Sequence, residues 1–235
     1  MALAWIACAS RKGQRVAKSA WLAALLVIVI AVLTGPAGAA SVSYDESALD
    51  TIFAQGGMDI DIRFLPTQFL EAPEYLIIDS GLELYEFSLL PDPAPSPTVI
   101  MAFIDELAFC NSYDPNLWGC AELPGHSFVV ESSASASSYG PALQAHELGH
   151  NLNLYHDTGT WTNLMYPTIF GHTNLTAAQI ATILASPLVQ VEAGSGQKYI
   201  EILPLLVTPE PGSFSLLALG LGGLALRRRA HLSAS

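Results

Sequence analysis

The central part of the chain contains short segments in which apolar residues either alternate with polar ones or are continuous, and these patterns predict strands. Met58–Pro66 alternates apolar and polar residues, as a half-buried strand does, whereas Thr98–Ile104 is continuously apolar and predicts a central strand. Pro91–Pro97 is rich in proline, which cannot donate to a sheet ladder, and it therefore predicts a loop. Three further strands are predicted at Tyr75–Asp79, Leu82–Leu90 and His126–Ser132, the last of them at an edge of the sheet.

Helix signals occur on both sides of these strands. Ser47–Gln55 is typical of a short helix, and Thr176–Ser186 opens with a Thr-x-x-Gln capping box. A serine-rich link, Ser132–Gly140, leads to a helix that begins near Pro141, because proline is favoured in the first helical turn. No internal repeat is visible. This order of elements predicts one α+β domain over residues 40–206.

The N-terminus has the three parts of a secretory signal peptide. Four basic residues precede the apolar run Trp21–Leu33, and small residues follow it, with Ala37 and Ala39 forming an A-x-A cleavage pattern. Residues 1–39 are therefore predicted to be removed by a signal peptidase. The alternative is an uncleaved anchor helix, although the apolar run is shorter than the roughly 20 residues that span a bilayer.

The C-terminus also combines three parts: a Pro-Glu-Pro turn, the apolar segment Phe214–Leu226 and three arginines. In this order they resemble the PEP-CTERM sorting signal, which an exosortase recognises and cuts near the Pro-Glu-Pro in Gram-negative bacteria that export polysaccharide. Residues 207–235 would then be a sorting and transient anchor segment. The resemblance implies residence in the periplasm, on the outer surface or in the extracellular matrix. A plain C-terminal transmembrane helix is the alternative, and it also implies export.

The charge of the body restricts its partners. All 21 acidic residues lie between Asp45 and Glu210, where Arg63 and Lys198 are the two basic residues, so this region has a net charge of −19. The phosphates of a nucleic acid would be repelled, which argues against nucleic-acid binding. The same charge is compatible with calcium ions or cationic substrates, and equally with solubility alone.

Two cysteines remain after the predicted leader, because Cys8 lies within it. Cys110 and Cys120 are close in sequence, and a disulfide is the simplest expectation for such a pair in an exported protein. A two-cysteine zinc site is the weaker interpretation, because no partner Cys or His lies at a suitable spacing.

The segment HELGHNLNLYHD (His146–Asp157) contains three histidines at metal-binding spacing. His146 and His150 are four residues apart, so a helix places both imidazoles on one face, with Glu147 beside them. If the helix continued, His156 would lie about 9 Å further along its axis, beyond coordination reach. The chain must therefore reverse between them. Asn153 is the expected position, since asparagine is second to glycine in adopting the left-handed conformation that ends helices.

The segment NLMYP (Asn163–Pro167) follows, and it predicts a tight turn that carries Met165. Together with the three histidines it resembles the active-site region of metzincin zinc metalloproteases, over residues 146 to about 186. The HELGHNL opening and Asp157 are similar to the adamalysin branch, whereas LMYP and the helix after it are similar to the matrixin branch. The branch is left open.

This resemblance implies a twisted, mostly parallel five-stranded sheet with helices behind it. An active-site cleft would divide an upper subdomain, residues 40–153, from a small lower subdomain, residues 154–206. The cleft would hold an extended peptide against the edge strand, for which His126–Glu131 is the candidate. The implied zinc ligands are His146, His150 and His156.

The resemblance also assigns a role to each remaining residue of the motif. Glu147 would be the general base and acid, and Met165 the apolar floor beneath the zinc. Asp157 would brace the lower part by hydrogen bonding. Tyr166 is not expected to be a ligand, because families with a tyrosine ligand place it two residues after the methionine.

The function expected from the sequence is an exported zinc-dependent endopeptidase acting on peptide or protein substrates. Two alternatives are kept. In one, Glu192 or Glu201 is a distant third ligand, as in thermolysin-like proteases, which would leave His156 and Met165 unexplained. In the other, the chain is a non-catalytic, zinc-stabilised protein that binds a surface or a biofilm matrix. Glu147 argues against the second, because a structural site needs no base.

Overall fold

The computed structural model describes residues 41–90, 93–94 and 96–209. They form a mixed α/β fold around one large sheet. Its seven strands are β1 (Ile60–Phe64), β2 (Gln68–Glu71), β4 (Val99–Ile104), β6 (Gly119–Ala121), β7 (Ser127–Glu131), β8 (Gln190–Val191) and β9 (Lys198–Thr208). A separate pair of parallel strands is formed by β3 (Ile77–Ile78) and β5 (Glu106–Leu107).

The large sheet is mostly parallel, as expected. Its continuous order is β1-β9-β4-β7-β6, and β2 and β8 pair with further parts of β9. Only the β6–β7 and β8–β9 pairs are antiparallel among the strand pairs of this sheet in the described residues. Five strands were expected, whereas the sheet in the described residues has seven, because the short strands β2 and β8 pair with further parts of β9.

The longest strand, β9, was not predicted from the sequence. Its first half pairs with β1 and its second half with β2, while β4 lies along its other side. The last pairs join Leu206, Val207 and Thr208 to the end of β2. The folded region therefore continues beyond residue 206, the predicted end of the domain.

Five α-helices accompany the sheet in the described part of the chain: α1 (Glu46–Phe53), α2 (Gly81–Ser88), α3 (Ser132–Ser135), α4 (Gly140–Asn151) and α5 (Ala177–Leu184). The larger core joins α1 and α4 to one face of the sheet, and a smaller core covers the other face. Strand β4 is buried along its whole length because alternate residues enter the two cores. This explains its continuously apolar sequence and confirms the predicted central strand.

The predicted strand at Leu82–Leu90 is wrong, because most of this segment forms α2. Ser80 accepts a hydrogen bond from Glu83 N at its side chain, and the Glu83 carboxylate accepts from Ser80 N in return. This capping box begins a helix. None of the α2 residues is fully buried. Burial of the apolar residues in this segment therefore does not determine whether it forms a strand or a helix.

The strand predicted at His126–Ser132 is confirmed as β7, but its predicted position at the edge of the sheet is wrong. Strand β7, within His126–Ser132, is flanked by β4 and β6, and the strand at that edge of the sheet is β6. With three residues, β6 is too short to give a recognisable alternating pattern. The predicted disulfide is confirmed between Cys110 and Cys120, and it fastens the preceding loop to the centre of β6.

The two predicted membrane-targeting segments lie outside the described residues. These are the leader, residues 1–39, and the apolar segment of the tail, residues 214–226. Within residues 41–90, 93–94 and 96–209, no helix is both long and apolar enough to cross a membrane.

Candidate metal centre

Helix α4 carries the first two histidines on one buried face. It begins at Gly140 with Pro141 in its first turn, as predicted. His146 and His150 are both buried. His156 lies in the segment after the helix, next to the other two histidines, and its outer side is exposed to solvent. One ring nitrogen from each of the three residues lies within 4.8 Å of those of the other two. In the described part of the chain, this is the one group of three or more potential ligand residues that is close enough to share an ion.

The chain reverses at Asn153, which has a φ of 69°. Its N–H donates to His150 O at 2.9 Å, and the N–H of Leu154 donates to Gly149 O at 2.9 Å. These two bonds form a Schellman motif, in which the left-handed residue is usually glycine. Asparagine therefore takes the place of glycine here and directs the chain back towards α4.

Backbone carbonyls fix the orientation of the two helical imidazoles. His146 Nδ1 lies 2.7 Å from Leu164 O, and His150 Nδ1 lies 2.7 Å from Leu154 O. A carbonyl only accepts, so each Nδ1 carries the proton and each Nε2 keeps a free lone pair. The Schellman turn thus also supplies the carbonyl that orients His150.

The three imidazoles fit a small divalent metal ion. His156 Nε2 lies 3.3 Å from His146 Nε2 and 3.2 Å from His150 Nε2. Nitrogens about 2.0–2.1 Å from a tetrahedral zinc ion are about 3.3–3.4 Å apart, so both separations fit zinc coordination. Burial lowers the pKa of His146 to about 3 and also lowers the pKa of His150 and of His156. All three rings are therefore neutral at pH 7, as ligands must be.

Glu147 follows His146 on α4, and its carboxyl group lies against Gly119 of β6. The residue is 5 % exposed, and burial raises its pKa to about 8. A nearby divalent cation would oppose this shift, because positive charge favours the carboxylate form. A side chain at Gly119 would begin 2.5 Å from Glu147 Oε1, so the carboxyl occupies space that the glycine leaves free. Sequence reasoning did not identify Gly119, and a single glycine before a cysteine gave no signal.

Met165 is completely buried under α4. Its Sδ approaches Gly149, where an added Cβ would lie 2.6 Å from the sulfur. The methionine is held by Asn163, whose Oδ1 accepts a hydrogen bond from Met165 N at 2.8 Å. Asn163 in turn exchanges two amide hydrogen bonds with Gln179 on α5. Sequence reasoning missed this amide pair, although Gln179 belongs to the capping box that predicted α5.

Asp157 connects the segment after the third histidine to the methionine turn. Its N–H donates to Met165 O at 2.8 Å, and its carboxylate accepts from Gly159 N at 2.8 Å. The contact across this region is therefore made by the backbone of Asp157, while its side chain stabilises the local turn.

The alternative glutamate ligands are not part of the cluster. Glu192 accepts a hydrogen bond from Ser195 and lies 3.7 Å from Arg63, whereas Glu201 is on β9 next to Thr98. No observation therefore favours a distant glutamate over His156.

Comparison with known proteins identifies the tail. Residues 207–229 match the family described as the PEP-CTERM protein-sorting motif. The motif indicates recognition by an exosortase-type processing enzyme, and export with sorting to the cell envelope of a Gram-negative bacterium. No curated protein matches the chain.

Proposed function

We propose that the chain is an exported, zinc-dependent endopeptidase. The observation that carries the proposal is the convergence of three neutral imidazoles, with a buried carboxyl group on the helix residue that follows the first of them. A structural zinc site is normally closed by four protein ligands, whereas a catalytic site has three and keeps one position open. Within the described residues, the group contains three ligands, which favours the catalytic arrangement.

Each residue would have a separate task in peptide hydrolysis. His146, His150 and His156 would hold the zinc ion through Nε2. Bound zinc would supply a Lewis acid that polarises the scissile carbonyl and acidifies water. Glu147 would take a proton from the attacking water and return it to the departing amide nitrogen, as a general base and then a general acid. The exposed side of His156 leaves an approach from solvent for a substrate.

Zinc analysis and proteolysis of casein test the proposal on the exported chain purified in detergent. We expect one zinc ion per chain and cleavage that a chelator abolishes and added zinc restores. Glu147→Gln should keep the zinc and lose activity by about 10²–10⁴-fold, because the proton acceptor is removed. His156→Ala should lose both zinc and activity.

Three results would contradict the proposal in different ways. Full zinc content and activity in His156→Ala would favour a site completed by a distant glutamate. Stoichiometric zinc without cleavage of any protein substrate would favour a metal-stabilised binding module of the cell envelope. A metal-free chain that still hydrolyses casein would exclude the metal mechanism.

A further inference from the structure

Strand β6 lies along the side of α4 that carries Glu147. Asn151, at the end of α4, donates from Nδ2 to Glu122 O at 3.0 Å, directly after the last residue of β6. Glu147, four residues earlier and therefore on the same helix face, lies against Gly119 at the beginning of β6. The helix is thus held against the strand at both ends of β6, and the position of the carboxyl group depends on the strand.

Glycine is needed at position 119 because a side chain would not fit there, and not because of the backbone conformation. A Cβ there would lie 2.5 Å from Glu147 Oε1 and 2.8 Å from both Cδ and Cγ of the same side chain. The φ of Gly119 is outside the left-handed region, so the backbone itself would accept other residues. Atoms at such separations repel strongly, and either the carboxyl group or the strand would have to move.

We propose that Gly119 is a positioning residue for the hydrolysis proposed above, because its missing side chain leaves the space that the Glu147 carboxyl occupies. The inference rests on the proposed function. Proton transfer needs a separation of about 2.6–3.2 Å between the exchanging atoms, so a carboxyl displaced by about 1 Å loses its contact with water. Carbonyls of Leu164 and Leu154 orient the imidazoles of His146 and His150, whereas the three atoms nearest an added Cβ at position 119 all belong to Glu147. A side chain at position 119 should therefore affect the proton acceptor and leave the metal in place.

The test is the Gly119→Ala variant of the exported chain, with labelled casein as the substrate. We expect full zinc content, a KM within about threefold of wild type, and a kcat reduced about 100-fold, the usual effect of misplacing a catalytic group by about 1 Å. Gly81→Ala is the matched control. It also adds a methyl group that lies 3.0 Å from a side chain, that of Phe109, but it lies on α2, which packs on the opposite face of the sheet from α4, and its kcat should equal that of wild type.

A Glu147→Ala background separates positioning from a general disturbance of the strand. If Gly119 acts through Glu147, Gly119→Ala should change the residual kcat of Glu147→Ala by less than about twofold. An equal loss in both backgrounds, a Gly119→Ala variant with wild-type kcat, or loss of zinc in that variant would each overturn the inference. An inactive wild-type chain would overturn the proposed function, and this inference with it. An active wild type with an equally active Gly119→Ala variant would overturn the inference alone.

Discussion

One added methyl group at Gly149 should destabilise the chain, although glycine-to-alanine changes stabilise most helices. The new Cβ would lie 2.6 Å from Met165 Sδ and 3.2 Å from its Cε. Non-bonded heavy atoms reach their optimal separation at about 3.5–4.0 Å, so the sulfur must move by about 1 Å. Met165 has no exposed surface, and close-packed protein cores offer little space for such a movement.

Two opposing free energies decide the size of the effect. Overpacking a core in this way costs about 1–3 kcal/mol, whereas replacing glycine by alanine inside a helix contributes about 1 kcal/mol. Because both terminal atoms of Met165 are displaced, we expect the upper part of the first range and a net loss of about 1–2 kcal/mol. For a domain of this size, the melting temperature should fall by about 2–8 °C.

A double-mutant cycle with Met165→Ala measures this contact directly by urea denaturation of the zinc-free chain. Met165→Ala removes the sulfur, so Gly149→Ala in that background should raise the free energy of unfolding, by up to about 1 kcal/mol. The predicted change of sign corresponds to a coupling energy above about 1 kcal/mol. If Gly149→Ala stabilises the chain that retains Met165, or has the same effect in both backgrounds, the methionine is not packed against α4 as described.

Three further predictions concern the metal centre and the strand beside it. Because burial lowers the folded-state pKa of His146 to about 3, the unfolded chain binds a proton below about pH 6.5 that the folded chain does not. Urea denaturation of the metal-free Glu147→Gln chain, from which the opposing titration of Glu147 is absent, should therefore show about 2 kcal/mol less stability at pH 5 than at pH 7, and less of this dependence when His146→Leu is added; a flat profile would contradict it. Asn153→Gly should retain zinc affinity, whereas Asn153→Val should cost about 1–2 kcal/mol in stability and weaken zinc binding about tenfold or more; equal zinc affinities by competition with a chelating dye would refute this. Replacing Cys110 and Cys120 together by serine should cost about 2–3 kcal/mol in urea denaturation, and an unchanged midpoint would contradict the role assigned to the disulfide.

Local signals in the sequence predicted how the chain brings the three histidines of the candidate metal centre together. The spacing of the histidines predicted one helix face, and the requirement for His156 to return predicted a left-handed residue, which is Asn153. The Thr-x-x-Gln pattern predicted the start of α5. These predictions succeed because hydrogen bonds within a few residues determine helix ends.

Features that depend on tertiary pairing were predicted less well. Strand β9 was missed because it contains Pro204, and proline usually excludes a central strand. In the structure, Pro204 lies between the part of β9 that pairs with β1, ending at Ile202, and the part that pairs with β2, beginning at Leu205. No strand in the described residues pairs with it on that side, so its missing N–H removes no ladder hydrogen bond there. No sequence pattern reveals such a gap.

The position at which β9 ends has a consequence for maturation. The sorting motif begins at residue 207, yet Val207 and Thr208 still pair with Leu70 and Glu71 in the sheet. Cleavage near the Pro-Glu-Pro that follows would therefore occur within a few residues of hydrogen-bonded backbone. The processing enzyme would have to cleave the chain next to a folded domain. The released protein would keep its longest strand, β9, complete.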